Sequence, residues 1–304
     1  MDQPRSFRQL TFKKIDMRNY ITIFFVFLML PFIAISQENG ASKEKDSIPK
    51  KVKEKLERPA FESTLIIDNQ SNEVLSKNTM EVQMQHRFGT FNDDKNDMAG
   101  MWGLSNIRLA LAYGIHERVT IGFGTTKDGR YQDFNWKGAI LRQTRSNKMP
   151  VSVSYYGNFT ISALPKENFV HTEDRWSFFN QIIVARRFTP EFSASGTLSV
   201  SHYNVVENTM RNDMVAFSLG GRYKVSPNTA IMLDYSQPLT EFLKDNPHPG
   251  ISLGVEFGTS AHAFQLFVTN YHGIVPQDNY MFNNNNFFNG EFMLGFNITR
   301  LYNF

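Results

Sequence analysis

Thr79–Phe88 reads Thr-Met-Glu-Val-Gln-Met-Gln-His-Arg-Phe, with Met80, Val82, Met84 and Phe88 alternating with Glu81, Gln83, Gln85 and Arg87. Successive side chains of a strand point to opposite faces, so this stretch has one apolar face and one polar face. The last stretch runs the same way: Phe292, Leu294, Phe296 and Ile298 stand against Glu291, Met293, Gly295 and Asn297, and the chain ends on Phe304. Between them lie some ten more such segments, about twelve in all. They are expected near residues 79–88, 106–115, 118–126, 133–142, 151–163, 176–188, 192–203, 214–225, 229–237, 251–258, 262–269 and 291–299.

The connections carry a second signal. His116-Glu117, Thr189–Glu191, Ser226–Asn228 and Thr259–Ala261 are tight, and Gln143–Pro150 is a longer member of the same set. Between them fall mostly long polar loops at residues 89–105, 164–174, 204–213, 238–249 and 270–290, with Lys127–Gln132 the short exception. Short and long connections in strict alternation, with polar and apolar parity in each strand, describe an all-β, transmembrane, antiparallel up-and-down β-barrel. A soluble sandwich does not require that alternation. Unpaired backbone groups are costly in hydrocarbon, so Phe292–Ile298 is expected to pair with Met80–Phe88 and close the sheet. Aromatic residues make up 14% of the chain, and Tyr113, Phe134, Trp136, Tyr155, Trp176, Phe188, Tyr223, Tyr235, Tyr302 and Phe304 are expected at the membrane interfaces or against lipid.

Upstream of the strands the composition changes. Residues 1–36 read as an extension followed by a signal peptide starting at Met17, with Arg18 as its positive end, Ile21–Ile35 as its apolar core and Ala34-Ile35-Ser36 as its cleavage site. Residues 37–58 form a charged tether with no capacity for a core. Residues 59–78 include an apolar Leu65-Ile66-Ile67 centre and are expected at or in the barrel mouth, as an added strand, a plug in the lumen or a periplasmic lid; the barrel itself is 79–304. The formal charge of +3 arises in the leader, because residues 37–304 carry 27 basic and 27 acidic side chains. That balance argues against a nucleic-acid partner. The chain has no cysteine, so it can form neither disulfides nor a lipidated N-terminal cysteine.

The stretches Met84–Gly89 (MQHRFG), Ser105–Leu109 (SNIRL), Tyr113–Ile115 (YGI), Ile121–Thr125 (IGFGT), Gln132–Asn135 (QDFN), Ile140–Arg145 (ILRQTR) and Pro150–Asn158 (PVSVSYYGN) resemble an uncharacterised outer-membrane β-barrel family of Bacteroidetes-type bacteria. The resemblance covers about residues 58–304. It implies an outer-membrane barrel and brings no activity or catalytic residues.

Function is expected to lie in the lumen. Glu81, Arg87, Arg108, Lys137, Arg222, Asp234, Glu256 and Glu291 fall on the polar parity, joined by Gln83, Gln85, Asn135, Tyr156, Asn158 and Gln181. These residues can line an aqueous path or form a paired network that fills the interior. No enzyme is expected: Ser201 and His202 are strand neighbours that face opposite ways, and His86, His171 and His248 have no triad or zinc-ligand spacing. No cofactor or metal is expected, and the acidic stretch Asn92–Asp97 lacks the spacing of a calcium loop. The expected role is a channel for small hydrophilic solutes in the bacterial outer membrane, with both termini periplasmic. The alternative is a closed structural or partner-binding barrel, and a hydrolase is a remote third. Expected partners are outer-membrane lipid, lipopolysaccharide and an envelope protein held through residues 37–58.

Overall fold

The computed structural model describes residues 54–92 and 98–304. The signal peptide, most of the tether and residues 93–97 of the first long loop lie outside the described residues. A two-stranded hairpin, β1 (Leu65–Ile66) and β2 (Asn69–Gln70), precedes the sheet. Twelve antiparallel strands follow: β3 (Thr79–Thr90), β4 (Asn106–His116), β5 (Val119–Thr126), β6 (Tyr131–Leu141), β7 (Ser152–Ser162), β8 (Trp176–Arg187), β9 (Phe192–Tyr203), β10 (Asp213–Ser226), β11 (Thr229–Pro238), β12 (Gly250–Gly258), β13 (His262–Thr269) and β14 (Met293–Asn303).

Each strand pairs with its neighbours in sequence, and β14 closes on β3 with Phe296 opposite His86 and Ile298 opposite Met84. No sheet edge remains, as a sheet in hydrocarbon requires. The parity is as read: along β3, odd-numbered residues from Thr79 to Gly89 are buried and the intervening ones half-buried. Outward positions carry Leu109, Leu111, Leu198, Leu219, Leu233, Leu253 and Leu266, all exposed. An outer aromatic band links Phe123, Phe134, Phe159, Phe178 and Trp176, with neighbouring ring centroids 5.1–6.5 Å apart.

The last strand starts later than its pattern suggests, at Met293. Glu291 is drawn into the preceding loop, where its Oε2 accepts the Asn286 N–H at 2.6 Å and its own N–H reaches the Asn286 carbonyl at 3.3 Å. That turn satisfies its backbone locally, so Glu291 leaves the candidate lumen set.

The interior is filled rather than hollow. Residues 59–76 enter from the end that carries the short turns, fold into the β1–β2 hairpin and leave beside Gly114, whose carbonyl accepts the Asn78 N–H at 2.9 Å. From the opposite end the longest loop, 270–292, turns inward as a short helix, α1 (Pro276–Phe282), with Gln277, Asn279, Tyr280 and Met281 buried.

Candidate functional site

The hairpin tip is an Ile67-Asp68 turn between two-residue strands. Ile67 sits at φ +50°, a left-handed conformation in which a β-branched residue is strained by roughly 1–3 kcal/mol. Its side chain is fully buried beside Ala60, Phe61, Ile66, Ala185, Met232 and Phe267, and its carbonyl accepts from Asn297 Nδ2 at 2.7 Å. Those contacts hold the turn in place. Gly220 on the inner wall makes the room: a Cβ there would stand 2.9 Å from Ile66 Cδ1.

Four of the candidate wall charges end on this hairpin or the segment around it. Arg87 Nη2 meets Asp68 Oδ1 at 2.7 Å, with side chains 0% and 1% exposed, and its guanidinium lies 4.5 Å over the Phe267 ring. Asp234 accepts the backbone N–H groups of Asp68 and Asn69 at 3.1 and 3.0 Å, and Asn69 Nδ2 at 2.6 Å. Lys137 Nζ donates to the carbonyls of Thr64 and Ser71, both at 2.9 Å. Glu81 Oε2 accepts from Thr64 Oγ1 and Gln83 Nε2, both at 2.6 Å. A buried charge is tolerated only when it is paired or hydrogen-bonded, and here the inserted chain supplies the partners.

The remaining wall charges pair mainly with one another. Arg108 forks onto Asp133 at 2.8 and 2.7 Å and also reaches Gln83 and Gln85. Arg222 Nε meets Glu256 Oε1 at 2.8 Å, with Glu62 of the inserted segment at 3.5 Å from Nη2. Glu256 also accepts from Gln265 at 3.0 Å. Asn135 and Asn158 both donate to Asp133, and Gln181 donates to Thr197.

Alternation alone did not bring out the groups that fill the centre. Asp133 shares parity with Asn135 and could have been found that way. Asp68 and Asn69 have no such signal, because a plug has no repeating pattern. The loop residues Gln277 and Tyr280 are equally silent, yet Gln277 Nε2 donates to Asn158, Thr160 and Ser177 on the wall. Tyr280 stacks on Phe179 with centroids 5.7 Å apart, inside an apolar cluster of Tyr156, Ile183, Tyr203, Met214, Ala216, Phe242 and Met281. One trace of this cluster is legible: β8 (WSFFNQIIVARR) is apolar on both parities, as a strand with grease on both faces must be.

Ser201 faces the lumen and is buried, whereas His202 faces outward. His202 Nδ1 lies 2.7 Å from Asp213 Oδ1, but its Nε2 meets Asn204 Oδ1 at 3.1 Å, in the place a hydroxyl nucleophile would need. His86 stacks outward on Phe296, ring centroids 5.1 Å apart. Among the described residues, no group of three or more His, Cys, Asp or Glu side chains is placed to hold a metal.

No curated protein matches the chain. Among solved structures it is similar to the NanC porin, at 8% identity over 73% of this chain and 98% of that one, TM-score 0.46. It is similar also to the KdgM porin, at 6% identity over 74% and 99%, TM-score 0.44. An outer membrane channel from Pseudomonas putida F1 matches at 14% identity over 76% and 97%, TM-score 0.42. Likenesses this distant say nothing of what passes through this chain. The closed strand order, the lipid-facing parity and a family match over residues 61–302 agree, and the chain belongs to the membrane bound beta barrel domain family, DUF5777.

Proposed function

We propose that the protein is an outer-membrane channel for small hydrophilic solutes, held shut by residues 59–76 and opened when they leave the lumen. In this reading the short turns and both termini face the periplasm, the long loops face outward, and the outer band meets lipid and lipopolysaccharide. The supporting observation is the charged wall that the hairpin covers. The hairpin meets Glu81, Lys137 and Asp234 through backbone and small polar groups. Water can replace such bonds, each to a charged partner, at a net cost of about 1.5–3 kcal/mol. The hairpin also buries Ile66 and Ile67 beside Met232 and Phe267, as α1 buries Tyr280 and Met281 on Phe179, Ile183 and Met214, so its exit exposes apolar surface as well. Once the hairpin leaves, the wall behind it carries both charge signs and suits polar solutes of either sign.

The Arg87–Asp68 pair favours a second reading, a barrel permanently closed and used to dock an envelope partner through residues 37–58. That pair is buried on both sides, and breaking it is expensive. Single-channel recording in planar bilayers separates the two, comparing the chain from Gln37 with a variant that lacks residues 59–76. The channel reading expects silence or rare brief openings from the first and stable openings from the second, whose wall strands are all intact. A folded, heat-modifiable deletion variant that never conducts overturns it.

A further inference from the structure

At the short-turn mouth, beside the root of the hairpin, lies a cavity of about 210 Å³. It has room for about seven waters at roughly 30 Å³ each. Its walls come from the entering chain (Leu56–Ala60), the exit of the plug (Asn72–Val74 and Ser76) and the ends of β6 and β7.

Both charge signs line it, and on each side some polar capacity is unspent. Asn72 is 7% exposed, and its Oδ1 is buried without a hydrogen-bond partner although its carbonyl accepts from Ser154 Oγ at 2.8 Å. Glu73 spends Oε1 on the backbone N–H groups of Ala60 and Phe61, at 2.9 and 3.5 Å. Opposite stands Arg142. A bulge between Ala139 and Leu141 sets Leu141 opposite lipid-facing Val153, so the next residue, Arg142, turns to the lumen side. It is half-buried and pairs with no carboxylate among the described residues. Arg58, Glu57 and Glu117 complete the charged rim, and Val74 with Ala139 gives an apolar floor.

A cation alone would lie near Arg142 and Arg58, and an anion alone near Glu73 and Glu117. A compact molecule with both charges meets neither penalty. We infer that this cavity binds a small zwitterion, a free amino acid or dipeptide, with its ammonium on Asn72 Oδ1 and Glu73 and its carboxylate on Arg142. The site does not depend on conduction, since the barrel holds it in the closed state.

The test is ligand-observed NMR titration of the detergent-solubilised full barrel with glycylglycine, against ethylamine and propionate as single-charge controls. Glycylglycine is expected to bind at least tenfold more tightly than either control. Arg142→Gln and Asn72→Leu should each weaken it about tenfold, with heat-modifiable migration reporting that the barrel still folds. Glu73→Gln, which keeps a hydrogen-bonding group at Ala60, serves if Asn72→Leu does not assemble. Failure of glycylglycine to bind the folded barrel overturns the inference. Equal binding of ethylamine or propionate, or binding indifferent to Arg142→Gln, overturns it as well.

Discussion

Tyr280 donates its hydroxyl to Asn69 Oδ1 at 2.6 Å, joining two inserted segments that are 211 residues apart in the chain. The same hydroxyl lies 2.6 Å from Ser218 Oγ on the wall, and Asn69 in turn reaches Asp234 and Ser236. The loop helix and the hairpin tip thus meet at one point inside the barrel, each limiting the other's movement. Tyr280→Phe keeps the stack on Phe179 and removes only the hydroxyl. It should loosen the hairpin by about 1 kcal/mol, the net worth of an ordinary hydrogen bond. Backbone hydrogen exchange at residues 65–70 should rise several-fold, while exchange in the wall strands stays as it was.

The ion pair at the hairpin turn bears more weight. Asp68→Asn leaves Arg87 buried with no carboxylate partner, a change of about 3–5 kcal/mol. The double variant Asp68→Asn, Arg87→Gln should lose less than the two single losses combined, because the uncompensated charge is gone. Urea midpoints of the three variants in lipid vesicles check this; additive losses would show that the pair is not coupled.

Gly220 offers a way to disturb the plug without touching it. Gly220→Val puts branched carbons where Ile66 now lies, whereas the lipid-facing side of β10 is unchanged. The barrel should assemble with normal heat-modifiable migration, and its hairpin should become open to protease. Full protection of the hairpin in that variant would mean that the wall yields instead.

Acid should tighten the loop. Burial pushes the Asp278 carboxyl up to about 6 from its ordinary 3.8; nearby Asp128 adds to the rise and the Tyr131 hydroxyl, donating to it, opposes it. A carboxyl whose pKa is higher in the folded state holds its proton more tightly there. The docked loop is therefore fully stabilised below about pH 4, loses that stabilisation between about pH 4 and 6, and is flat above. Exchange in residues 274–282 should be slower at about pH 5 than at about pH 7.5 once corrected for intrinsic rates. Asp278→Asn should remove the difference.

How much of this was legible beforehand can be judged residue by residue. Met84, facing lipid and opposite Ile298 across the seam, was readable because the bilayer imposes a period of two on every strand. Arg108, Arg222 and Glu256 were readable as lumen residues by the same parity, although the pairings Arg108–Asp133 and Arg222–Glu256 were not. Glu291 was misplaced because a local turn with Asn286 competes with the strand, and alternation cannot see that competition. Residues 59–78 were legible only as a segment at or in the mouth, with strand, plug and lid all open.

Sequence alone determined the closed barrel, its strand count and which side of each strand meets lipid, since those follow from local alternation and from the cost of an unpaired edge in hydrocarbon. Only the tertiary structure decided that the lumen is filled, and by what. Asn297 reaches the Ile67 carbonyl across 230 residues and Asp234 caps the hairpin across 165. Bonds of that kind depend on where closure places the wall, and they leave no periodic mark on the chain.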